Sequence, residues 1–384
     1  MSKKENRRRV YVISSAHFFH DVFSAFLAPV LPLIISNMQI SMSLAGLLDV
    51  VRRIPSLFNP LIGLIADRTD IKYMLVLTPA ITGISMSFIG LAPNYISLVI
   101  LLFVAGLSAA FFHVSSPVLI NLFSGNKTAR GMGYYMFGGE LARTIGPLII
   151  VAAISQWGLE GSFRVLPLAF IATVFLYFYL RDIKYVPVDK AAEKRIKSPL
   201  DTKKFKRIFL AIGGFLFFNA TMKAFLTIYL AVYMVEKGAS IWLAGIAISV
   251  FQLAGAAGSF LSGYISEKIN YKATLLLSAI LSPLFMAAFL LFPEYPFVFL
   301  VLIGMSLFLT TPVIMSIVQE QGQKRPAFYN SIYMTISFVV SSLMVLLAGV
   351  LSDSFGLDNA MKISVVMALF SIIFVFLFPQ RKES

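Results

Sequence analysis

Gly63-Leu64-Ile65-Ala66-Asp67-Arg68-Thr69-Asp70-Ile71-Lys72 returns 200 residues later as Gly263-Tyr264-Ile265-Ser266-Glu267-Lys268-Ile269-Asn270-Tyr271-Lys272. Upstream the two copies stay aligned with one residue of slippage. Phe18-Phe19-His20 meets Phe217-Phe218-Asn219, Ala25-Phe26-Leu27 meets Ala224-Phe225-Leu226, and Leu44-Ala45-Gly46 meets Leu243-Ala244-Gly245. The chain is therefore an internal duplication in parallel register, and each copy of the quoted segment is a short polar loop between two long apolar runs.

Working outward, a membrane-crossing helix needs about 20 mostly apolar residues. Twelve such runs can be marked, at 10–36, 42–66, 73–92, 95–122, 131–155, 162–180, 207–235, 240–265, 273–292, 296–319, 327–351 and 360–378. The breaks between them carry turn residues, as in Ala92-Pro93-Asn94 and Phe292-Pro293-Glu294. Composition agrees: 58% of the 384 residues are hydrophobic and 13% charged, against roughly 25% charged in soluble domains. That excludes a water-soluble enzyme. Short alternating strands, the mark of a transmembrane barrel, are missing. With no cysteine, disulfides, thiolate chemistry and zinc–sulfur sites are excluded as well.

The net charge of +14 is explained by where the cations fall. Lys and Arg concentrate in the tail Lys3–Arg9, in the stretch Arg181–Arg207, in alternate short loops and in Arg381-Lys382, whereas the opposite loops collect Glu160, Glu236, Glu294, Asp353 and Asp358. Positive loops stay cytoplasmic, so both termini are expected there, in a multi-pass protein of the plasma membrane. The basic tail reads as a topology anchor rather than a nucleic-acid site, and the first apolar run reads as a retained span rather than a signal peptide. The expected organisation is a six-helix bundle over 1–185, a basic cytoplasmic linker over 186–206 and a second six-helix bundle over 207–384.

Parallel six-span repeats are a known transporter plan. The Gly-x-x-x-Asp-Arg-x-x-x-Lys loop at Gly63–Lys72 resembles the loop signature of the major facilitator superfamily, and the copy at Gly263–Lys272 strengthens the likeness. A narrower resemblance, to the fosmidomycin-resistance-like branch, rests on His17-Phe18 and Asp21 with Pro29 and Pro32, on Gly106, Ser108 and Phe112-His113, and on Gly138-Gly139 with Gly146-Pro147. Two positions depart from that branch: Val114 stands where proline is usual, and Glu140 where asparagine is usual. The resemblance implies an all-α fold of twelve transmembrane helices, no catalytic residues and no cofactor. It also implies alternating access between two bundles, with spans 3, 6, 9 and 12 as outer scaffold.

Ionisable side chains inside a bilayer are expensive and normally face a bundle interior. The set here is Asp21, Asp49, Arg52, Arg53, Glu140, Arg143 and Lys223, with His17, His20 and His113. At about 1.5 Å per residue, His20, Arg53, His113, Glu140, Asn219 and Gln252 all fall near mid-membrane. Helical spacing groups His17, His20, Asp21 and Ser24 on one face, places Asp49, Arg53 and Ser56 on another, and sets Asn219 with Lys223 and Glu140 with Arg143 within pairing reach. Repeat alignment sets His20 against Asn219 and Arg53 against Gln252. The plain alternatives are that Asp49 merely neutralises Arg52 and Arg53, that Glu140 neutralises Arg143, and that His113 hydrogen-bonds across a tight helix contact.

Four cations against three carboxylates, with arginine forks suited to carboxylate or phosphate groups, point to a small organic anion or an acidic amphiphilic drug. The branch resemblance points the same way, since fosmidomycin is a phosphonate. Arg53, Arg52, His20, His113, Arg143, Asn219, Lys223 and Gln252 are the expected substrate contacts, and Arg53 is the expected partner of the anionic group. Asp21, Glu140 and His17 are the expected proton-coupling groups; rocking of one bundle would part Glu140 from Arg143 and let it load a proton. Gly63, Asp67, Arg68, Lys72, Gly263, Glu267 and Lys268 are expected to act as conformational latches.

Because no nucleotide-binding G-x-x-x-x-G-K-[ST] loop occurs, the expected activity is proton-coupled efflux by a monomeric antiporter. Its partners are a small anionic molecule, protons and the lipid bilayer, with no nucleic acid and no bound metal. A divalent-metal exporter using His17, His20, Asp21, His113 and Glu140 competes with this, opposed by the adjacent arginines. A non-transporting receptor or scaffold would call for a folded extramembrane domain. Hydrolase motifs are missing.

Overall fold

The computed structural model describes residues 3–59, 61–62, 71–124, 128–182, 202–321 and 326–378. Among them it is helical throughout, without strands. The helices are α1 Lys3–Ser24, α2 Leu27–Met38, α3 Met42–Arg53, α4 Ile71–Ser87, α5 Tyr95–Ser124, α6 Thr128–Trp157, α7 Leu166–Leu180, α8 Thr202–Ala224, α9 Leu230–Glu236, α10 Ile241–Ile269, α11 Tyr271–Leu291, α12 Pro296–Leu307, α13 Thr310–Gln321, α14 Pro326–Phe355, α15 Leu357–Leu369 and α16 Ser371–Val375. Ten stretches of the described residues are long and apolar enough to cross a membrane. The remaining two expected spans include 3-10 turns, and part of the first, 42–66, lies outside the described residues. One is α3 running into a 3-10 turn at Ile54–Phe58, with Pro55 at its start; the other is α4, followed by a 3-10 turn at Phe88–Leu91.

Proline explains where two expected single spans divide. A proline inside a helix loses one hydrogen bond and collides with the carbonyl four residues back, at a cost of about 3 kcal/mol. Pro29 is four residues past Ala25, and the helix is interrupted at Ala25-Phe26 between α1 and α2. Pro312 is four past Phe308, and the interruption at Phe308-Leu309 divides α12 from α13. The expected span 207–235 holds a different irregularity, a π-helical segment Phe225–Tyr229 between α8 and α9.

The chain forms two compact units. One comprises Met1–Ile40, Leu47–Val188 and Met234–Ser249, the other Ser41–Gly46, Asp189–Tyr233 and Val250–Ser384. The first unit is cored by Ile13, Ala16, Leu75, Phe112, Leu119 and Leu176, the second by Ile212, Phe215, Leu275, Ile314, Ile317 and Phe378. Large side chains such as Phe260 (86% exposed) and Ile96 (70%) point outward, which is stable only where the surroundings are as apolar as they are. In the second unit, the Asp353 carboxylate caps the first turn of α3. It accepts from Met42 N–H at 2.7 Å and Ser43 N–H at 2.9 Å, and from the Ser43 hydroxyl, and the Tyr229 hydroxyl donates to the Met42 carbonyl at 2.9 Å.

In the first unit, α6 lies directly on α1. A Cβ added at Gly138 would collide with the Ser14 carbonyl, one at Gly139 would reach the His17 ring at 2.5 Å, and one at Gly146 would lie 2.7 Å from the Val22 carbonyl. Small residues bring the backbones into direct contact where two spanning helices pack without an aqueous driving force. Gly138→Val is therefore expected to destabilise the protein by about 1–3 kcal/mol, the usual cost of overpacking. Thermal unfolding in detergent would measure this; a melting temperature equal to wild type would show that α6 stands off from α1 in solution.

Candidate functional site

Asp21 lies at the centre of the first unit, on α1, and is 3% exposed. Four cationic or potentially cationic groups converge on its two oxygens. His20 Nδ1 lies 3.0 Å from Oδ1 and His113 Nε2 3.5 Å from Oδ1; His17 Nε2 lies 3.3 Å and Arg143 Nη2 3.5 Å from Oδ2. His17, His20 and Asp21 share one face of α1 because they are spaced i, i+3 and i+4. His113 reaches the carboxylate from α5, and Arg143 from α6. Arg143 also donates to Glu140 Oε1 at 2.7 Å, one turn away on its own helix.

Aromatic and hydroxyl groups fix the imidazoles. The His20 ring stacks on Phe112 with centroids 4.3 Å apart, and the His17 ring stacks on Tyr135 at 4.0 Å. His17 Nδ1 donates to the Tyr135 carbonyl at 2.7 Å, and His20 Nε2 meets Thr82 Oγ1 at 3.0 Å. His113 Nδ1 lies 3.3 Å from the Tyr135 hydroxyl, which also pairs with Ser116 Oγ at 2.6 Å. His113 thus makes the cross-helix contact of the plain alternative and faces Asp21 as well.

A second polar group sits on α3. Asp49, fully buried, accepts from Arg52 Nη2 at 2.7 Å and from Arg53 Nε at 2.6 Å. Arg52 donates in addition to the Ser24 carbonyl at 3.0 Å. Two guanidiniums on one carboxylate leave a net positive charge, and the Arg53 side chain keeps 28% of its surface exposed.

In the second unit, Asn219 and Gln252 are placed as buried or half-buried amides, with Asn219 Nδ2 and Gln252 Oε1 lacking hydrogen-bond partners. Lys223 Nζ stands 4.5 Å from the centroid of the Phe308 ring. Of the expected latch, Gly63, Asp67 and Arg68 lie outside the described residues. Lys72 donates to the Arg181 carbonyl at 3.0 Å, and Lys268 lies over the Tyr264 ring at 4.4 Å. Gly263 has open space around it, and the Glu267 side chain is outside the described set.

One sequence expectation needs correction. Glu140 and Arg143 both belong to α6 within a single unit, so a rigid rocking of that unit carries both and cannot part them; only a side-chain rotation can. Sequence reasoning also missed Thr82, Ser116 and Tyr135. Neutral hydroxyls carry no signal inside an apolar run, because depth along a helix says nothing of what the neighbouring helix presents.

His17, Asp21 and His113 bring donor atoms within 4.8 Å of one another, spacing that a metal ion could use. The guanidinium of Arg143 occupies the same carboxylate and repels a cation there.

Residues 13–344 match the Major Facilitator Superfamily. The chain belongs to that family. It is a multi-pass membrane transporter, not an enzyme. Over 386 residues it is 22% identical to the fosmidomycin resistance protein of Escherichia coli (strain K12), covering 97% of this chain and 93% of that one. Over 393 residues it is 23% identical to the multidrug resistance protein MdtG of Yersinia enterocolitica, covering 98% and 94%. Among solved structures, a bacterial homolog of the human lysosomal transporter Spinster, in an inward-facing and occupied conformation, superposes with a TM-score of 0.83. Its identity is 16%, with 98% of this chain and 97% of that chain covered. At that identity the superposition shows the fold alone.

Proposed function

We propose that this facilitator exports a small organic anion or acidic amphiphile across the plasma membrane in exchange for protons, by alternating access of its two units. The carrying observation is Asp21: a buried carboxylate contacted by three imidazoles and a guanidinium. Asp21 is the proposed proton carrier, with Glu140 and His17 as auxiliaries. When Asp21 and Glu140 both take up protons, Arg143 is released as a free cation. A carboxylate, phosphonate or phosphate group on the substrate can then engage it bidentately.

Arg53 and Arg52 are proposed as the second anionic contact, because Asp49 neutralises only one of them. His20, His113, Asn219, Lys223 and Gln252 are proposed to line the remainder of the path. The segments around Asp67-Arg68 and Glu267-Lys268 are proposed as latches. The protein is proposed to act as a monomer with both termini in the cytoplasm. Divalent-cation export is the weaker alternative, for the reason given by Arg143.

The test is flux of fosmidomycin, the compound that the Escherichia coli relative is named for, and of a dicarboxylate into proteoliposomes under an imposed pH gradient. Uptake of at least one should follow the gradient and collapse when it is dissipated. Indifference of both to pH would refute the coupling. Arg53→Gln supplies a separate check on the anion site. A ligand at about 100 times its Kd raises stability by about 2.7 kcal/mol, and this increment should vanish in the variant. An increment of unchanged size would remove Arg53 from the site.

A further inference from the structure

A buried hydrogen-bond chain runs from the proton site into α4 and α5. His20 Nε2 lies 3.0 Å from Thr82 Oγ1, Thr82 Oγ1 lies 2.9 Å from Ser108 Oγ, and Ser108 Oγ lies 3.0 Å from the Thr78 carbonyl oxygen. All four residues are at most 3% exposed, so solvent does not redirect the chain. A hydroxyl has one hydrogen to donate, and a carbonyl can only accept. With Ser108 donating to Thr78, Thr82 donates to Ser108 and must accept from His20, whose Nε2 then carries hydrogen. The 3.0 Å contact between His20 Nδ1 and Asp21 Oδ1 is then a hydrogen bond only if it contains a second proton, on nitrogen or on oxygen.

The chain can also run the other way. Ser108 then gives up its bond to the Thr78 carbonyl and donates to Thr82, and Thr82 donates to a bare Nε2, while Nδ1–H, the ring's one hydrogen, donates to an ionised Asp21. Both hydroxyls keep one hydrogen in either direction. The Asp21–His20 pair holds two protons in the first orientation and one in the second, so a single proton is gained or lost. It exchanges at Asp21, on the side of His113 and Arg143. His17 lacks this freedom: its Nδ1 donates directly to the Tyr135 carbonyl at 2.7 Å, with no hydroxyl between them that could turn.

We infer that Thr82 and Ser108 form a two-position hydroxyl switch that makes His20, rather than His17 or His113, the partner sharing the exchanged proton with Asp21. The role in transport rests on the proton-coupled reading above; Thr82 and Ser108 are positioning residues and touch no substrate. The charged and titratable groups around the pair are His17 from α1, His113 from α5, Tyr135, Glu140 and Arg143 from α6, and Arg52 from α3 through its bond to the Ser24 carbonyl. α4 contributes only hydroxyls, and α7 carries no ionisable group before Tyr177. None of these groups changes in the variants below.

With only three histidines in the chain, protein labelled with nitrogen-15 histidine in lipid nanodiscs shows three rings by magnetic resonance, and His20→Gln identifies one of them. The expected result is a tautomer change at His20 with pH: Nε2 protonated on the acid side, Nε2 bare on the alkaline side, and His17 Nδ1 protonated throughout. Ser108→Ala frees Thr82 to donate to Nε2 and should lower the midpoint by about one pH unit, about tenfold in proton affinity, which is what one hydrogen bond contributes. Thr82→Val takes a hydrogen bond from Nε2 in both forms; with the second proton on nitrogen the one lost from the acid form is charge-assisted and stronger, so the midpoint should fall here too, by less than in Ser108→Ala, while Thr82→Ser should restore it. If Ser108→Ala does not fold, the Thr82→Val and Thr82→Ser pair decides alone. A single His20 tautomer across the titration, or unmoved midpoints in the folded variants, overturns the switch. A fixed tautomer in a pH-driven transporter refutes the switch alone. A working switch in a protein whose flux ignores pH refutes the coupling, and with it the transport role of the switch.

Discussion

Asp21→Asn is expected to abolish pH-driven transport, reducing gradient-dependent flux in proteoliposomes by about a hundredfold or more while leaving the protein folded. The amide has nearly the shape of the carboxyl group but neither loads nor releases a proton, so each turnover loses its coupled step. The size of the effect follows from placement. His17, His20, His113 and Arg143 all direct polar atoms to this one carboxylate, and no other carboxylate among the described residues has so many such partners. Glu140→Gln should cost less, because Glu140 makes one ion pair, to Arg143. Counterflow of substrate without a gradient separates coupling from binding: Asp21→Asn should retain it. Should Asp21→Asn accumulate substrate against its gradient as well as wild type, the proton passes elsewhere.

The second large effect is one of stability. Among the described residues, Asp49 is the one carboxylate that pairs with Arg52 and Arg53. Asp49→Ala should destabilise the protein by about 3–5 kcal/mol, the range for breaking a buried pair and leaving charge uncompensated. Partial exposure of the two guanidiniums places the expectation at the lower end. Adding Arg53→Gln to Asp49→Ala should recover part of the loss, since one unpartnered cation is then removed. Equilibrium unfolding in mixed micelles measures both. A loss below about 1 kcal/mol in Asp49→Ala would mean that water or lipid phosphate solvates the arginines.

Much of the fold was legible in the sequence, because a bilayer leaves few choices. The duplication at Gly63 and Gly263, the apolar runs and the turn residues between them lead to two six-span repeats before any contact is known. Pairings within one helix were legible too: Glu140 with Arg143 and Asp49 with Arg53 follow from spacing alone. What spacing cannot convey is how one helix is rotated against the next. Thr82 looks like any small polar residue in a spanning helix, Ser108 stands out only as part of the branch resemblance, and only the crossing of α1, α4 and α5 makes them partners of His20. Local irregularity was not legible. The interruptions before Pro29 and Pro312 fall inside runs expected as single spans, Pro79, Pro117, Pro147 and Pro283 lie within continuous helices, and nothing in Phe225–Tyr229 distinguishes a π-helical turn from ordinary helix.

The contact of α6 with α1 has a mechanical consequence. Side chains between helices act as a compliant layer, since rotamers yield before backbones do. At Gly138 and Gly146 that layer is missing, and there the two helices meet as stiff bodies. A load applied to one is passed to the other without slack. Asp21 and Arg143 ride on opposite members of this seam, so a change of charge between them cannot be absorbed by the helices easing apart. It must be taken up by the soft elements that remain, the long side chains of Arg143 and Glu140. The seam thus acts as a rigid frame around a flexible pointer; in the proposed exchange, it would turn the uptake of one proton into a reorientation of Arg143.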